Sequence, residues 1–149
     1  MTTAPMRALA AACLFACAGV PAYAQSTPAG LWKTVDDATR KEKSLVRIVE
    51  TNGVYTGKVE KITDPDAPKD ATCKDCSDDR KDKPVVGMTI IRNVKANDDK
   101  TAYEGGDILD PNNGKVYRVR LRPFDEGRKL EVRGYLGPFY RNQTWQRVE

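Results

Sequence analysis

The sequence contains no histidine. That removes the commonest general base, the commonest metal ligand and the usual charge switch near neutral pH. The absence argues against Ser-His-Asp hydrolases and most zinc enzymes. Cysteine is scarce, four in 149 residues. No second pair stands ready to complete a four-ligand zinc site around Cys73-Lys74-Asp75-Cys76. No pair of carboxylates is placed in the sequence for glycosidase work. There is no helical periodicity beyond about two turns and no internal repeat, and no apolar run reaches the roughly 20 residues that a spanning helix needs. What is left is apolar and polar residues alternating in short runs, which is the pattern of half-buried strands.

The N-terminus is the exception to that pattern. One early positive charge, Arg7, precedes an apolar run over residues 8–20. Pro21 breaks the run, and Ala22-Tyr23-Ala24 carries small residues at the positions a signal peptidase reads. This predicts a secretory signal peptide over residues 1–24, cleaved between Ala24 and Gln25, and a single mature domain over 25–149. A retained anchor and a lipobox ending at Cys17 are weaker alternatives, because the run is short and Phe15 fits a lipobox poorly. The expected address is periplasmic or secreted, with no membrane span. The mature part carries 24 basic and 21 acidic residues, net +3, too weak to imply nucleic acid. Cys13 and Cys17 leave with the signal. Cys73 and Cys76 remain in an oxidising compartment, where a disulfide is the default.

The clearest element is a hairpin over residues 105–121. Asn113-Gly114 supplies the turn, and the return strand alternates Tyr117, Val119 and Leu121 against Arg118, Arg120 and Arg122. Eight strands are predicted in all: 30–35, 44–50, 54–63, 88–94, 101–109, the return strand through 121, 129–136 and 142–148. Sequential hairpins favour an antiparallel meander. Eight such strands close into a barrel just wide enough for packed side chains or one small ligand. Residues 64–84 interrupt the pattern with three prolines, seven aspartates and both mature cysteines, a long loop of the kind that is functional or tied down.

Each chemistry-bearing feature has a plain alternative. Cys73 and Cys76 read as a structural disulfide, a thiol redox pair or half a metal site, and the aspartates crowding them oppose a reactive thiolate. The aspartate loop offers oxygen ligands for calcium, yet it lacks the EF-hand glycine and distal glutamate. Residues 115–149 carry net +5 while 60–110 carry net −4. Arg118, Arg120, Arg122 and Arg133 therefore form a candidate anion patch, against the alternative of a solvated outer face paired with Glu131. Trp145 and Tyr135 are candidate sugar-stacking residues.

Gly30-Leu31-Trp32 near the start of the mature chain and Arg147 near its end resemble the lipocalin (calycin) pattern. There a G-x-W motif opens the barrel, and an arginine from the last strand covers the tryptophan and closes the base. A longer series resembles an uncharacterised exported bacterial family, domain of unknown function 2147. It comprises Gly30-x-Trp32, Gly53-x-Tyr55-x-Gly57-Lys58, Cys73-x-x-Cys76, Gly105-Gly106-x-Ile108-x-Asp110-Pro111, Gly114-Lys115-x-Tyr117, Arg133-Gly134-Tyr135-x-Gly137 and Trp145-x-Arg147. The resemblance implies an all-β, eight-stranded, antiparallel up-and-down lipocalin-like barrel outside the cytoplasm, and no settled activity.

Together these readings predict a non-enzymatic exported barrel without cofactor or metal, binding a small hydrophobic or amphipathic molecule in its mouth. Tyr55, Met88, Tyr103 and Tyr117 are the expected lining. The alternative is an envelope interaction or structural protein whose barrel is filled and whose surface contacts a protein partner.

Overall fold

A computed structural model describes residues 26–149. The predicted signal peptide, its cleavage site, Cys13 and Cys17 lie outside the described residues. Eight strands follow in order: β1 Gly30–Val35, β2 Glu42–Thr51, β3 Val54–Ile62, β4 Thr89–Ala96, β5 Tyr103–Asp110, β6 Lys115–Phe124, β7 Lys129–Leu136 and β8 Phe139–Arg147. Each pairs antiparallel with the next, and β1 pairs with β8 through Trp32↔Arg147 and Lys33↔Gln146. The result is a closed up-and-down barrel, as the strand alternation predicts.

Side-chain parity decides inside and outside. Val46 and Ile48 from β2, Val59 from β3, Val119 and Leu121 from β6, and Leu130 and Val132 from β7 are buried in the core with Trp32 and Trp145. Their strand neighbours Arg118, Arg122, Lys58 and Glu60 are on the outer side. An apolar interior under a charged exterior is the reverse of a membrane-spanning barrel, and no helix among the described residues is long and apolar enough to cross a membrane.

Closure requires sharp local bends. Asn93 (φ 60°) and Gly105 (φ 81°) interrupt the alternation of β4 and β5. Gly106 lies against the Arg92 carbonyl so closely that no side chain fits, the close backbone approach that glycine permits. Gly57 on β3 lies against Ile91, where a Cβ would come within 3.0 Å of the Ile91 side chain.

Two strands run through breaks that the sequence pattern predicts. β6 runs on through Pro123 to Phe124. Beyond Leu121, which pairs with Tyr103, its only partner is β7, so a proline without an N–H leaves no ladder bond unmade. β8 starts at Phe139, not at Asn142. Gly137-Pro138 does not end the sheet; it is the two-residue turn joining Leu136 to its cross-strand partner Phe139.

The loops divide between two ends. The turns at 52–53, 97–102 and 125–128 and both ends of the described chain gather at the closed end. The loops at 36–41 and 63–88 and the turns at 111–114 and 137–138 rim the other end, the mouth.

Candidate functional site at the barrel mouth

The closed end is sealed. The Arg147 guanidinium lies 4.2 Å from the centre of the Trp32 ring. Its Nε donates to the Gly127 carbonyl (2.5 Å), Nη1 to Ala29 (2.7 Å) and Nη2 to Thr27 (2.7 Å). Trp32 is fully buried and its Nε1 donates to the Pro28 carbonyl. Gly30 has φ 138°, and any Cβ there would collide with Arg147 Nη1 and the Glu149 carbonyl. The three residues form one unit: a ring, a cation across its face, and a bare backbone position that makes room for the cation. Burial pushes the Arg147 pKa below its ordinary value, yet a guanidinium remains charged at any working pH.

The mouth opens into a cleft of about 430 Å³, within the size range of small-molecule sites. Ile90, Leu109, Val132 and Trp145 form its floor. Thr34, Ser44, Lys43, Gln143 and Arg141 supply polar groups on its walls. Ile108, Pro111, Leu136 and Phe139 add apolar surface toward the rim. Several polar groups are held by one another. The Thr34 and Ser44 hydroxyls lie 2.9 Å apart, Trp145 Nε1 donates to Gln143 Oε1 at 3.1 Å, and Asn113 Nδ2 donates to the Tyr117 hydroxyl at 3.1 Å. Lys43 Nζ donates to the buried Asp64 carboxylate at 2.7 Å, which raises the lysine's pKa and lowers that of the acid. Arg141 reaches Asp37 at 3.2 Å. Asp36 and Asp110 also line the cleft and form no ion pair among the described residues, so the wall is polar and carries two carboxylates without a cation partner.

The expected lining needs correction. Tyr117 lines the cleft; Tyr55, Met88 and Tyr103 do not. Tyr55 and Tyr103 start β3 and β5 at the closed end, where their rings meet edge to face at 4.9 Å. Burial raises the pKa of both phenols. Met88 is buried beneath the long loop, its carbonyl accepting from Val59. Sequence reasoning missed Gln143, Arg141, Leu136 and Phe139. The available signal was the shared parity of Arg141, Gln143, Trp145 and Arg147: polar residues on an inward face mark a place where the interior is not packed.

Cys73 and Cys76 are bonded, with Cα atoms 5.4 Å apart. Both are buried, and the Asp75 carbonyl between them lies against Gly114. The short bridge therefore fastens the long loop onto the β5–β6 turn at the rim. Arg80, buried, holds the next part of the loop through Asp78 and the Thr89 carbonyl (3.0 Å). Among the described residues no cluster of Asp, Glu or Cys is disposed to hold a metal. A second depression of about 510 Å³ lies outside β3, lined by Glu60, Lys61, Ile62, Thr63, Lys69 and Val86. Lys69 there already donates to the carbonyls of Ile62 and Asp64.

The four arginines of the candidate anion patch are on the outer wall, away from the cleft floor. Arg120 stands directly opposite Arg133, and Arg118 opposite Tyr135. Arg122 pairs with Glu131 at 3.3 Å. Arg133 donates to Asn142 (2.6 Å) and lies 4.6 Å from the Tyr140 ring centre, while Arg118 lies over Tyr135 at 5.8 Å. Arg118 and Arg120 form no ion pair among the described residues, and Arg120 Nε is buried without a partner there.

A closed eight-stranded meander, sealed by an arginine over a G-x-W tryptophan and open at the opposite end, defines a lipocalin-like barrel. The fold is similar to that of a solved structure described as "Protein HP1028 from the human pathogen Helicobacter pylori belongs to the lipocalin family", with a TM-score of 0.68 and 22% identity over 81% of this chain and 82% of that one. Residues 30–147 match the family described as "Uncharacterized protein conserved in bacteria (DUF2147)", and the chain belongs to that family. A search of curated proteins finds no match.

Proposed function

We propose that this protein is exported, is not an enzyme, and holds a small amphipathic molecule in the mouth of its barrel. One observation carries the reading: the interior is packed solid from Trp32 up to Leu109, Val132 and Trp145, and above that floor lies a cleft of about 430 Å³ with apolar and polar walls. Apolar surface left uncovered in a small barrel, with a few fixed polar groups around it, is the form of a ligand site. Lipocalin-like architecture supports the reading as a matter of fold. Export is supported by the N-terminal apolar run before Ala24 and by the bonded cysteine pair.

Trp145 makes the reading testable. It forms part of the floor, whereas Trp32 lies at the sealed end. Titration with a medium-chain fatty acid or a lysophospholipid should change tryptophan emission in the wild type, and the change should vanish in Trp145→Phe but persist in Trp32→Phe. Val132→Phe, which fills the floor, should weaken binding. No saturable change with either probe, or binding that ignores Val132→Phe, refutes the cleft as a ligand site. Protein recovered from the exporting cell should begin at Gln25 by N-terminal sequencing; Met1 retained, or lipid on Cys17, refutes the processing.

The filled lower barrel also favours the other reading, an envelope interaction protein. That reading predicts no small-molecule response and places the activity on the outer surface.

A further inference from the structure

The β7–β8 hairpin ends in an unusual tip. Phe139 is 76% exposed, Tyr140 61% and Leu136 50%, and Gly137-Pro138 is the turn between them. Exposed Val116, the second residue of β6, is on the outward face of the neighbouring strand, whereas Leu136 and Phe139 are at the rim of the mouth itself. These large side chains touch little beyond one another, Arg133 and Tyr135, and leave most of their surface uncovered at the rim of one hairpin; such patches mark contact surfaces. Directly behind the tip, on β7 and on its neighbour β6, lie arginines. Arg118 is opposite Tyr135, one residue from Leu136; Arg133 and Arg120 face each other three residues from Leu136. At about 3.3 Å per residue, that places the second pair about 10 Å along the strand from the tip.

We propose that this hairpin docks the barrel, mouth first, on an anionic lipid bilayer. The apolar tip enters the headgroup and acyl boundary, and Arg118, Arg120 and Arg133 meet lipid phosphates. The spacing fits, because an interfacial apolar group sinks roughly 5–10 Å and the arginines follow at that depth. Arginine pairs bidentately with phosphate, and Arg118 and Arg120 have no ion pair of their own. Two arginines directly opposite each other repel; a phosphate between them removes that repulsion. Tyr135 and Tyr140, whose rings are 6.2 Å apart, lie one residue behind the tip, level with Arg118 and ahead of Arg120 and Arg133, where amphipathic rings prefer to be.

The rest of the mouth agrees with this orientation. The aspartate-rich loop springs from β3 and β4, across the barrel from β7 and β8, so repulsion from an anionic surface tilts that side away and lets the tip lead. A second copy of the chain is a poorer occupant. Three or four side chains cannot supply the roughly 800 Å² per partner that a stable dimer buries. Docking shares Leu136 and Phe139 with the rim of the cleft, but its vesicle readouts contain no cleft ligand, so its failure and the failure of the cleft reading are distinguishable.

Two measurements test it. The first is co-sedimentation with vesicles of phosphatidylcholine, with and without one third phosphatidylglycerol. Binding should require the anionic lipid and weaken with salt. Phe139→Ser with Leu136→Ser should reduce it about tenfold or more, and Arg118→Glu with Arg133→Glu about tenfold at low salt. The second is the emission of Phe139→Trp. It should move to the blue on adding the anionic vesicles and be quenched by lipids brominated on their acyl chains, a readout confined to the tip. An emission that ignores anionic vesicles overturns the proposal, as does vesicle binding unchanged by the tip and arginine substitutions. So does a dimer in sedimentation velocity that Phe139→Ser dissociates while vesicles go unbound.

Discussion

At the scale of single residues the best-defined unit is Gly30, Trp32 and Arg147, which joins the first strand to the last. Arg147→Ala removes the cation from the ring and leaves the carbonyls of Thr27, Ala29 and Gly127 without their donor; it should cost about 1–3 kcal/mol. Trp32→Ala leaves a large cavity at a fully buried position and should cost about 3–5 kcal/mol. The double variant should lose less than the sum, because one contact is shared. Urea unfolding checks all three, and strict additivity would mean that the ring and the cation act independently. Gly30→Ala should resemble loss of Arg147, since its Cβ takes the space of Nη1. This unit was legible in the sequence because its G-x-W and its arginine are chemically distinctive and fall on the first and last strands. Tyr55 and Tyr103 do not line the cleft because parity gives the side of a strand and not the height along the barrel, and Met88 does not because it precedes β4 and is buried at the end of the long loop. A tyrosine at the inward start of β3 is deep in the closed end, whereas Tyr117 at the inward start of β6 is at the mouth.

Among the elements, strands announced by turn chemistry were the legible ones. Asn52-Gly53 and Asn113-Gly114 fixed two hairpins, and alternation on either side of them fixed the faces. The β7–β8 hairpin was harder to read. Gly137-Pro138 looks like a terminator, so the mouth half of β8, with Arg141 facing the cleft, went unread, and so did the polar part of the site. The long loop showed its fastening but not where it was fastened: no pattern links Asp75 to Gly114, 39 positions on in the sequence. That contact makes a prediction. Gly114 has φ 68° and its missing Cβ would strike the Asp75 carbonyl. Gly114→Ala should therefore destabilise by more than the roughly 1 kcal/mol of a left-handed alanine, and it should raise amide exchange in residues 73–84 as the loop lifts from the turn. Reducing the bridge alone should cost about 2 kcal/mol, because the loop it closes is short. Equal protection of the loop in wild type and Gly114→Ala would show that the turn does not hold it.

For the whole molecule, the missing histidine and the placement of the carboxylates set the response to pH. Asp64 is held below its ordinary pKa by hydrogen bonds from Lys43 and the Asp66 amide. Asp78 is held at about 2 by the Arg80 side chain and amide. Glu60, Asp79 and Asp125 are lowered by Arg47, Arg92 and Arg128. A folded-state pKa below the unfolded one binds fewer protons in the fold, so stability is complete above the unfolded value, near pH 4, and falls as pH drops toward 2. The surface pairs are screened and contribute little each. Asp64 and the Asp78–Arg80 pair, which tie the long loop to β2 and β4, should dominate. At the other end, Tyr55 and Tyr103 have raised values from burial. Their contribution is complete below about pH 10 and is lost as pH rises further. Between about pH 5 and 8 there is no histidine to titrate. The urea midpoint should therefore be level across that window and decline below pH 4, with the loop losing its amide protection before the barrel does. Asp64→Asn should be less stable than wild type at pH 7 and should flatten the acid limb in part, because it removes one of the two carboxylates whose protonation drives the decline. A midpoint that falls between pH 7 and 5 would place the acid sensitivity outside these carboxylates, and an acid limb unchanged in Asp64→Asn would place it outside the Lys43–Asp64 contact.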